Sequence, residues 1–444
     1  MSHPTAARSL SEIPPMLGHL PFVGNVVQFY RDLPALMRSL NNGGARLQRL
    51  RVPGGVDMVV WGDLASFDLF KHKSVSSSHQ VDAGEIVFGM SSMISSDGAE
   101  HRRRRKASGH PFTPRGLTMT GVSAVISEVV TERVASMLAQ PEVLLLEEAQ
   151  VFAIDIIFRV MGVPREELRA WTRKYTEMQS AVGFPQWNFP GSPYYRARRA
   201  RDWVDERLKG YIERARRDPE MTGLVAEFVR GRDDEGQAMD DQEVLDNLRL
   251  MAFAGHETTA STIAWMASYA ATDPDIHDRL MAEALEGDGL PQTPQQMSAF
   301  PYAEGMFREA LRLHPPVTLS SRLMTEDVVI EGYALPAGTI VGIPIWLFGR
   351  DPARYPEPDA FRPERWVGQE HARTPIETSA FGGGAHFCLG YHMAWVEAVQ
   401  AIVGLMRALH DAGRRLSMPR LPAESYIPLL RPRMKDTRCR FVAA

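Results

Sequence analysis

The stretch Phe381–Gly390, FGGGAHFCLG, places one of only two cysteines, Cys388, behind three glycines. Three chemistries compete for it: a phosphate cradle, an inert core thiol, and a metal-binding thiolate. A cradle needs GxGxxG after a strand, or GxxxxGK[ST]. Counted from Gly382, the last glycine position of the first pattern is Phe387, and no lysine follows. A lone cysteine is by default a small buried hydrophobe. The residues after Cys388, however, read as a helix, so the sulfur stands just ahead of a helix N-terminus, where free N–H groups and the dipole favour a thiolate. Glycines there let backbone amides approach the sulfur, and such hydrogen bonds tune a metal–thiolate bond. The loop alone leaves the inert thiol open.

A second group is AGHETT, Ala254–Thr259. Gly255 costs a helix about 1 kcal/mol relative to alanine, and Glu257 and Thr258 put a carboxyl and a hydroxyl in an apolar run, which is costly without partners. One reading is a packing notch with a locally bonded threonine. The other is a local widening that admits a small ligand, with Glu257 and Thr258 relaying protons. Glu309 and Arg312, at i,i+3, can meet on a helix. With Arg365 of FRPERW (Phe361–Trp366) they could form a buried Arg–Glu–Arg cluster. The run HRRRRK (His101–Lys106) puts His101 and Arg105 on one helix face, where arginine suits a carboxylate. The rest of the run reads either as a solvated face or as a basic surface for an acidic redox partner.

These groups need a scaffold. The spacing of apolar residues predicts a mainly α chain with a smaller β portion. A long helix is expected from Asp240, with Glu243 completing an Asp version of a capping box, to Asp273-Pro274. At about 30 residues it spans about 45 Å, and its apolar middle should cross the interior. Ala45–Val52 and Asp57–Gly62 read as a hairpin, and Val328–Ile345 as a second β-rich stretch. No composition break divides the chain, so 1–444 is expected to be a single domain, with residues 1–25 an extended, proline-bearing lead-in.

The net charge of −4 over 444 residues gives no global attraction to nucleic acid. Two cysteines form no disulfide framework and no zinc spacing, which fits a reducing compartment. Neither a signal peptide nor a membrane span is expected, so the reading is cytoplasmic.

Together the motifs resemble the cytochrome P450 superfamily. Phe381, Gly384, Cys388 and Gly390 match its haem-binding loop, and AGHETT its oxygen-activating helix. Glu309-x-x-Arg312 is similar to its ion pair, FRPERW to the segment whose arginine joins it, and His101-x-x-x-Arg105 to its propionate-contacting helix. Trp366 stands where the family more often has phenylalanine, and Glu257 where aspartate is frequent. The resemblance covers roughly residues 12–442.

It implies a triangular P450-like fold, with haem b (iron protoporphyrin IX) between the long central helix and the helix after the Cys loop. Cys388 would be the axial iron ligand, the thiolate favouring O–O cleavage. His101, Arg105, Arg322 and His386 would contact the propionates, with Phe381 packed near the thiolate. Gly255 would open a groove for dioxygen, and Thr258 with Glu257 would deliver protons. Glu309, Arg312 and Arg365 would lock the proximal side. Val87, Phe88, Met90, Phe253, Ala254, Val317, Leu319 and Ile427 would line an apolar substrate pocket. The activity implied is insertion of one oxygen atom from O2 into a terpenoid, steroid, fatty acid or polyketide-like molecule. Electrons would come from NAD(P)H only indirectly, through a ferredoxin or flavodoxin with its reductase, to a monomeric enzyme. Alternatives are peroxygenation, desaturation, coupling or rearrangement at the same haem, and a haem-based sensor or carrier without turnover.

Overall fold

A computed structural model describes residues 7–42, 45–51, 57–78, 85–181, 186–368, 374, 377–426 and 429–444. Its axis is the helix Asp241–Thr272, 32 residues or about 48 Å long. Asp240 caps it as expected: its carboxylate accepts from the Glu243 N–H at 2.8 Å, and Glu243 accepts from the Asp240 N–H at 3.0 Å. Asp273 ends this helix and caps the next, Pro274–Glu286. The central helix is buried over nearly its whole length, so its apolar surface meets protein on every side. Leu145–Val160, Tyr391–Asp411, Pro301–Leu313 and Pro193–Arg217 all pack against it.

Beside this helical body lies a five-stranded mixed sheet, in the order Val75–Ser76, Ser320–Met324, Ile340–Ile343, Asp57–Trp61, Leu47–Arg51. The last two form the expected antiparallel hairpin, with Leu47 opposite Trp61 and Arg51 opposite Asp57. Its Pro-Gly-Gly turn lies outside the described residues. The N-terminal lead-in differs from a purely extended segment. Arg8–Ser9 pairs with Tyr333–Ala334, and Leu10–Glu12 makes a helical turn. Ser9 and Glu12 form a capping box, which stabilises that turn locally.

The helix Pro301–Leu313 carries the buried ion cluster. Arg312 grips Glu309 bidentately at 2.8 and 2.7 Å, and Arg365 Nε donates to the same carboxylate at 3.2 Å. Arg312 also donates to the carbonyls of Gly349, Pro358 and Ala360. The Trp366 indole adds a bond to Glu309 at 2.8 Å, which phenylalanine could not make. One buried carboxylate thus fastens the irregular segment from Gly349 to Trp366 onto the helix. Its charge is tolerable because each oxygen is hydrogen-bonded. Glu309→Gln leaves Arg312 buried without its counter-charge and is expected to cost about 3–5 kcal/mol. Trp366→Phe removes one neutral-donor bond and is expected to cost about 1–2 kcal/mol. Urea-induced loss of helicity checks both; equal effects would contradict the ranking.

Candidate functional site

The Cys388 loop is shaped by its glycines. Gly382 and Gly384 have φ of +73° and +65°. A β-carbon on Gly384 would also collide with the Phe70 carbonyl. The turn brings the Cys388 N–H to the Phe381 carbonyl at 2.9 Å, and the helix Tyr391–Asp411 starts directly after Gly390. Phe381 packs edge-on against Tyr391, 4.7 Å between centroids.

Cys388 keeps accessible surface although protein surrounds its sulfur closely, so the sulfur faces a space inside the fold. Burial pushes its pKa up, against the Gly390 N–H and the Arg105 charge, which pull it down. Burial outweighs them, and a further positive charge in contact with the sulfur would favour the thiolate.

Four cationic or protonatable side chains converge nearby. Burial lowers the pKa of Arg105, and that of Arg322 falls to about 10 for the same reason. Burial, then the neighbouring His386 and Arg105, lowers His101 to about 4, and burial also lowers His386. The two imidazoles stack at 3.9 Å. His101 Nδ1 and Arg322 Nε are buried and, among the described residues, have no hydrogen-bond partner. Asp97 lies beside them. Burial opposes its ionisation, but the hydroxyls of Ser76 and Ser78 and the Ser77 and Ser78 N–H groups outweigh this, leaving its pKa well below the usual range. It also takes His386 Nε2 at 2.9 Å. With Asp97 saturated, the Arg105 and Arg322 guanidiniums and the partnerless His101 Nδ1 and Arg322 Nε suit an anionic ligand with carboxylates. A haem, with two propionates and an iron for the thiolate, fits these residues.

On the central helix, the Thr258 hydroxyl donates to the Ala254 carbonyl at 2.7 Å. Both residues retain accessible surface on this otherwise buried element. Glu257 does not meet Thr258. Its two oxygens accept from Gln150 Nε2 at 2.8 Å and Arg431 Nη1 at 2.9 Å. Gly255 faces the helix Leu145–Val160, where a β-carbon would come within 3.1 Å of Ile157. The packing-notch reading therefore has a direct contact in its favour.

Of the pocket residues, Phe88 and Phe253 meet as a T-shaped pair at 4.8 Å. Val87 is fully buried, Leu319 half-buried, and Met90 and Val317 exposed. Ile427 lies outside the described residues. In the polybasic helix Gly98–Gly109, Arg103 and Arg104 are not a free surface. Arg103 Nη1 donates to Glu243 at 3.1 Å and Arg104 Nε at 2.9 Å, so the carboxylate that caps the central helix consumes them. A redox-partner surface on this run loses both. The cause is long-range pairing, which a charge run cannot display.

Sequence reasoning missed Gln150, Arg431, Asp97 and Glu397. Glu397, on the Cys388 helix, is fully enclosed and hydrogen-bonded to Thr259, beside Thr258. Only its spacing from Cys388 could have drawn notice.

A cysteine on a glycine-shaped turn ahead of a helix, with Arg105 beside it and Arg322, His101 and His386 gathered near, is an arrangement that an anionic prosthetic group would fit. Comparison with known proteins gives the family. Residues 14–410 match the Cytochrome P450 family, and the chain belongs to it. It is 34% identical to Cytochrome P450 BJ-4 of Bradyrhizobium diazoefficiens, over 95% of each chain. It is 33% identical to cyclooctat-9-en-7-ol 5-monooxygenase of Streptomyces melanosporofaciens, over 45% of this chain and 43% of that one. The solved structure of retinoic acid bound cyanobacterial CYP120A1 shares the fold, with a TM-score of 0.82 at 24% identity, covering 97% of this chain and 99% of that one. The chain is thus a P450-family oxidoreductase, for which the family implies haem. Among the described residues no helix is long and apolar enough to cross a membrane.

Burial raises the Glu397 pKa from 4.5 to about 8. The folded chain therefore holds a proton there that the unfolded chain releases near 4.5. The contribution is fully present below that pH and declines as pH rises toward 8. Glu397→Gln is expected to flatten the fall in stability between pH 5 and 8. Urea titrations across that range check it; parallel curves for the two proteins would refute the assignment.

Proposed function

We propose that this protein is a monooxygenase that inserts one oxygen atom from dioxygen into a lipophilic small molecule of terpenoid, steroid, fatty acid or polyketide-like character. Its haem b would be reduced by a ferredoxin or flavodoxin and its reductase, with NAD(P)H the indirect donor. The observation that carries this is Cys388 beside the Arg105 charge, with His101 Nδ1 and Arg322 Nε buried and, among the described residues, without hydrogen-bond partners. When bound, the haem supplies dioxygen binding and activation.

The chain's own residues divide the remaining work. Arg105, Arg322, His101 and His386 hold the propionates through charge-assisted hydrogen bonds. Gly390 offers its N–H to the sulfur, and Arg105 adds positive charge nearby, so both favour the thiolate. Phe88 and Phe253 wall the pocket with apolar surface, which favours lipophilic substrates and excludes water. A partial relative named as a cyclooctat-9-en-7-ol monooxygenase supports the same substrate class. Thr258 presents its hydroxyl oxygen while its proton is held by Ala254, so it can accept one hydrogen bond and pass another. Glu257 is the acid that recharges it. Gln150 and Arg431 each donate to its carboxyl oxygens, so it reaches Thr258 by rotating away from these two partners. We read the enzyme as a cytoplasmic monomer.

The reduced, CO-treated protein is expected to show the Soret band of haem-thiolate ligation, and Cys388→Ser to lose it. Retention of that band by the serine variant would overturn the assignment. Glu257→Gln is expected to slow dioxygen-dependent turnover by about 10²-fold or more, since general acids contribute about 10²–10⁴. Thr258→Ala should divert electrons to hydrogen peroxide. If both variants kept full coupling, and hydrogen peroxide alone drove the native enzyme at full rate, the peroxygenase alternative would replace this one.

A further inference from the structure

A cleft in the β region lies apart from the residues that surround Cys388. The strands Asp57–Trp61 and Ile340–Ile343 pair only at Val59 with Val341 and at Val60 with Gly342. Ahead of those pairs the two chains part, and residues from both sides of the gap line an open cavity of about 610 Å³. Small-molecule sites occupy roughly 300–1,000 Å³, so the space suits a ligand. Leu10, Leu50, Met58, Pro336 and Ile340 supply apolar walls. Most polar groups at the rim are already engaged. The Thr339 hydroxyl donates to the Pro336 carbonyl at 2.7 Å, Ser11 shares a hydrogen bond with Ser9 at 3.0 Å, and His19 pairs with Asn25 at 3.3 Å. Asp57 is the one carboxylate among the described lining residues, and Arg51 takes both of its oxygens at 2.6 Å. Arg49 also lines the cleft, is exposed, and among the described residues has no ion pair. The charge left over at the rim is therefore positive.

We propose that this cleft is a second ligand site and that it takes an apolar organic anion, a hydrocarbon body with a carboxylate or sulfonate at one end. The apolar walls remove the body from water. Arg49 meets the head with a charge-assisted hydrogen bond, for which a guanidinium is well shaped. A cation is disfavoured, because the lining carboxylate is already neutralised by Arg51. A neutral molecule would cover the same walls and leave Arg49 unused. The cleft also reaches toward the Cys388 side through one glycine. A β-carbon on Gly342 would stand 3.3 Å from Met58 Sδ and 3.1 Å from Leu319 Cδ1, so these two side chains approach the same point. A ligand that displaces Met58 is thereby felt at Leu319. That link to the substrate pocket rests on the reading above, whereas the binding does not.

The experiment titrates naphthalene-2-sulfonate into the haem-loaded protein by calorimetry, with the haem side filled by saturating clotrimazole. No turnover is needed, so its failure is separate from failure of the catalytic assignment. One equivalent is expected to bind with the azole in place. Arg49→Gln should weaken it by about tenfold, the scale of one hydrogen bond to a charged group. The same variant should leave the neutral analogue 2-naphthol unaffected. Leu10→Gln should weaken both compounds. Asp57→Asn, which releases Arg51, should tighten the sulfonate alone. Bound sulfonate should also change the affinity for clotrimazole, read from the Soret band, by about fivefold; no change removes the link to Leu319. The reduced CO spectrum checks that each variant is folded. Should Leu10→Gln fail that check, the opposite effects of the exposed Arg49 and Asp57 variants still decide the question. A sulfonate that binds only without the azole, or equally to every variant, or not at all, overturns the proposal. Equal affinity for 2-naphthol overturns the anion assignment. A dimer that Leu10→Gln dissolves, with the sulfonate ignored, would make the cleft an interface between copies instead.

Discussion

A buried region with more positive than negative charge is unstable unless something anionic enters it. His101, Arg105, Arg322 and His386 depress one another's affinity for protons or are depressed by burial, and Asp97, the nearby carboxylate, is already saturated by serines and His386. A ligand with its own carboxylates would relieve that imbalance. Cys388 poses the complementary problem: burial disfavours its thiolate, and a cation in contact would favour it. One group that carries both carboxylates and a metal resolves the two together. Much of the architecture serves to hold these donors in position while they await it. Arg322 sits on a strand of the mixed sheet, His101 and Arg105 on a helix, and His386 and Cys388 on a glycine-shaped turn.

The distal side shows a similar economy of charged contacts. The ribbon Glu424–Ser425 and Arg431–Pro432 reaches the central helix at two points: Arg431 at Glu257, and the Leu430 carbonyl accepting from Ser261 at 2.9 Å. The Leu430 N–H also donates to the Pro316 carbonyl at 3.0 Å, just before Val317. A segment expected to line the pocket and the acid expected to move protons are thus joined through one short strand. A shift of the pocket wall would be felt at Glu257 without any change in the helix.

Legibility from sequence followed the range of the interaction. The capped start of the central helix was readable because Asp240 and Glu243 are three residues apart. The cysteine loop was readable because its glycines and the following helix are contiguous. Glu309 with Arg312 was readable as a pair, and Arg365 through its own motif. Gln150 and Arg431 were not, because they approach Glu257 from 107 and 174 residues away. Neither sits in a pattern that singles it out. Asp97 was hidden for the same reason, and the role of Trp366 emerged only when its indole was seen on Glu309.

The polybasic run shows how context reverses a compositional reading. In sequence it is a block of positive charge that invites a partner. In the fold, Glu243 takes Arg103 and Arg104 while also capping the central helix. The helix that carries His101 and Arg105 is thereby fastened to the N-terminus of the helix that carries Thr258. Loss of that carboxylate would release two arginines and one helix cap together, and would loosen the separation between the propionate donors and the oxygen-side residues.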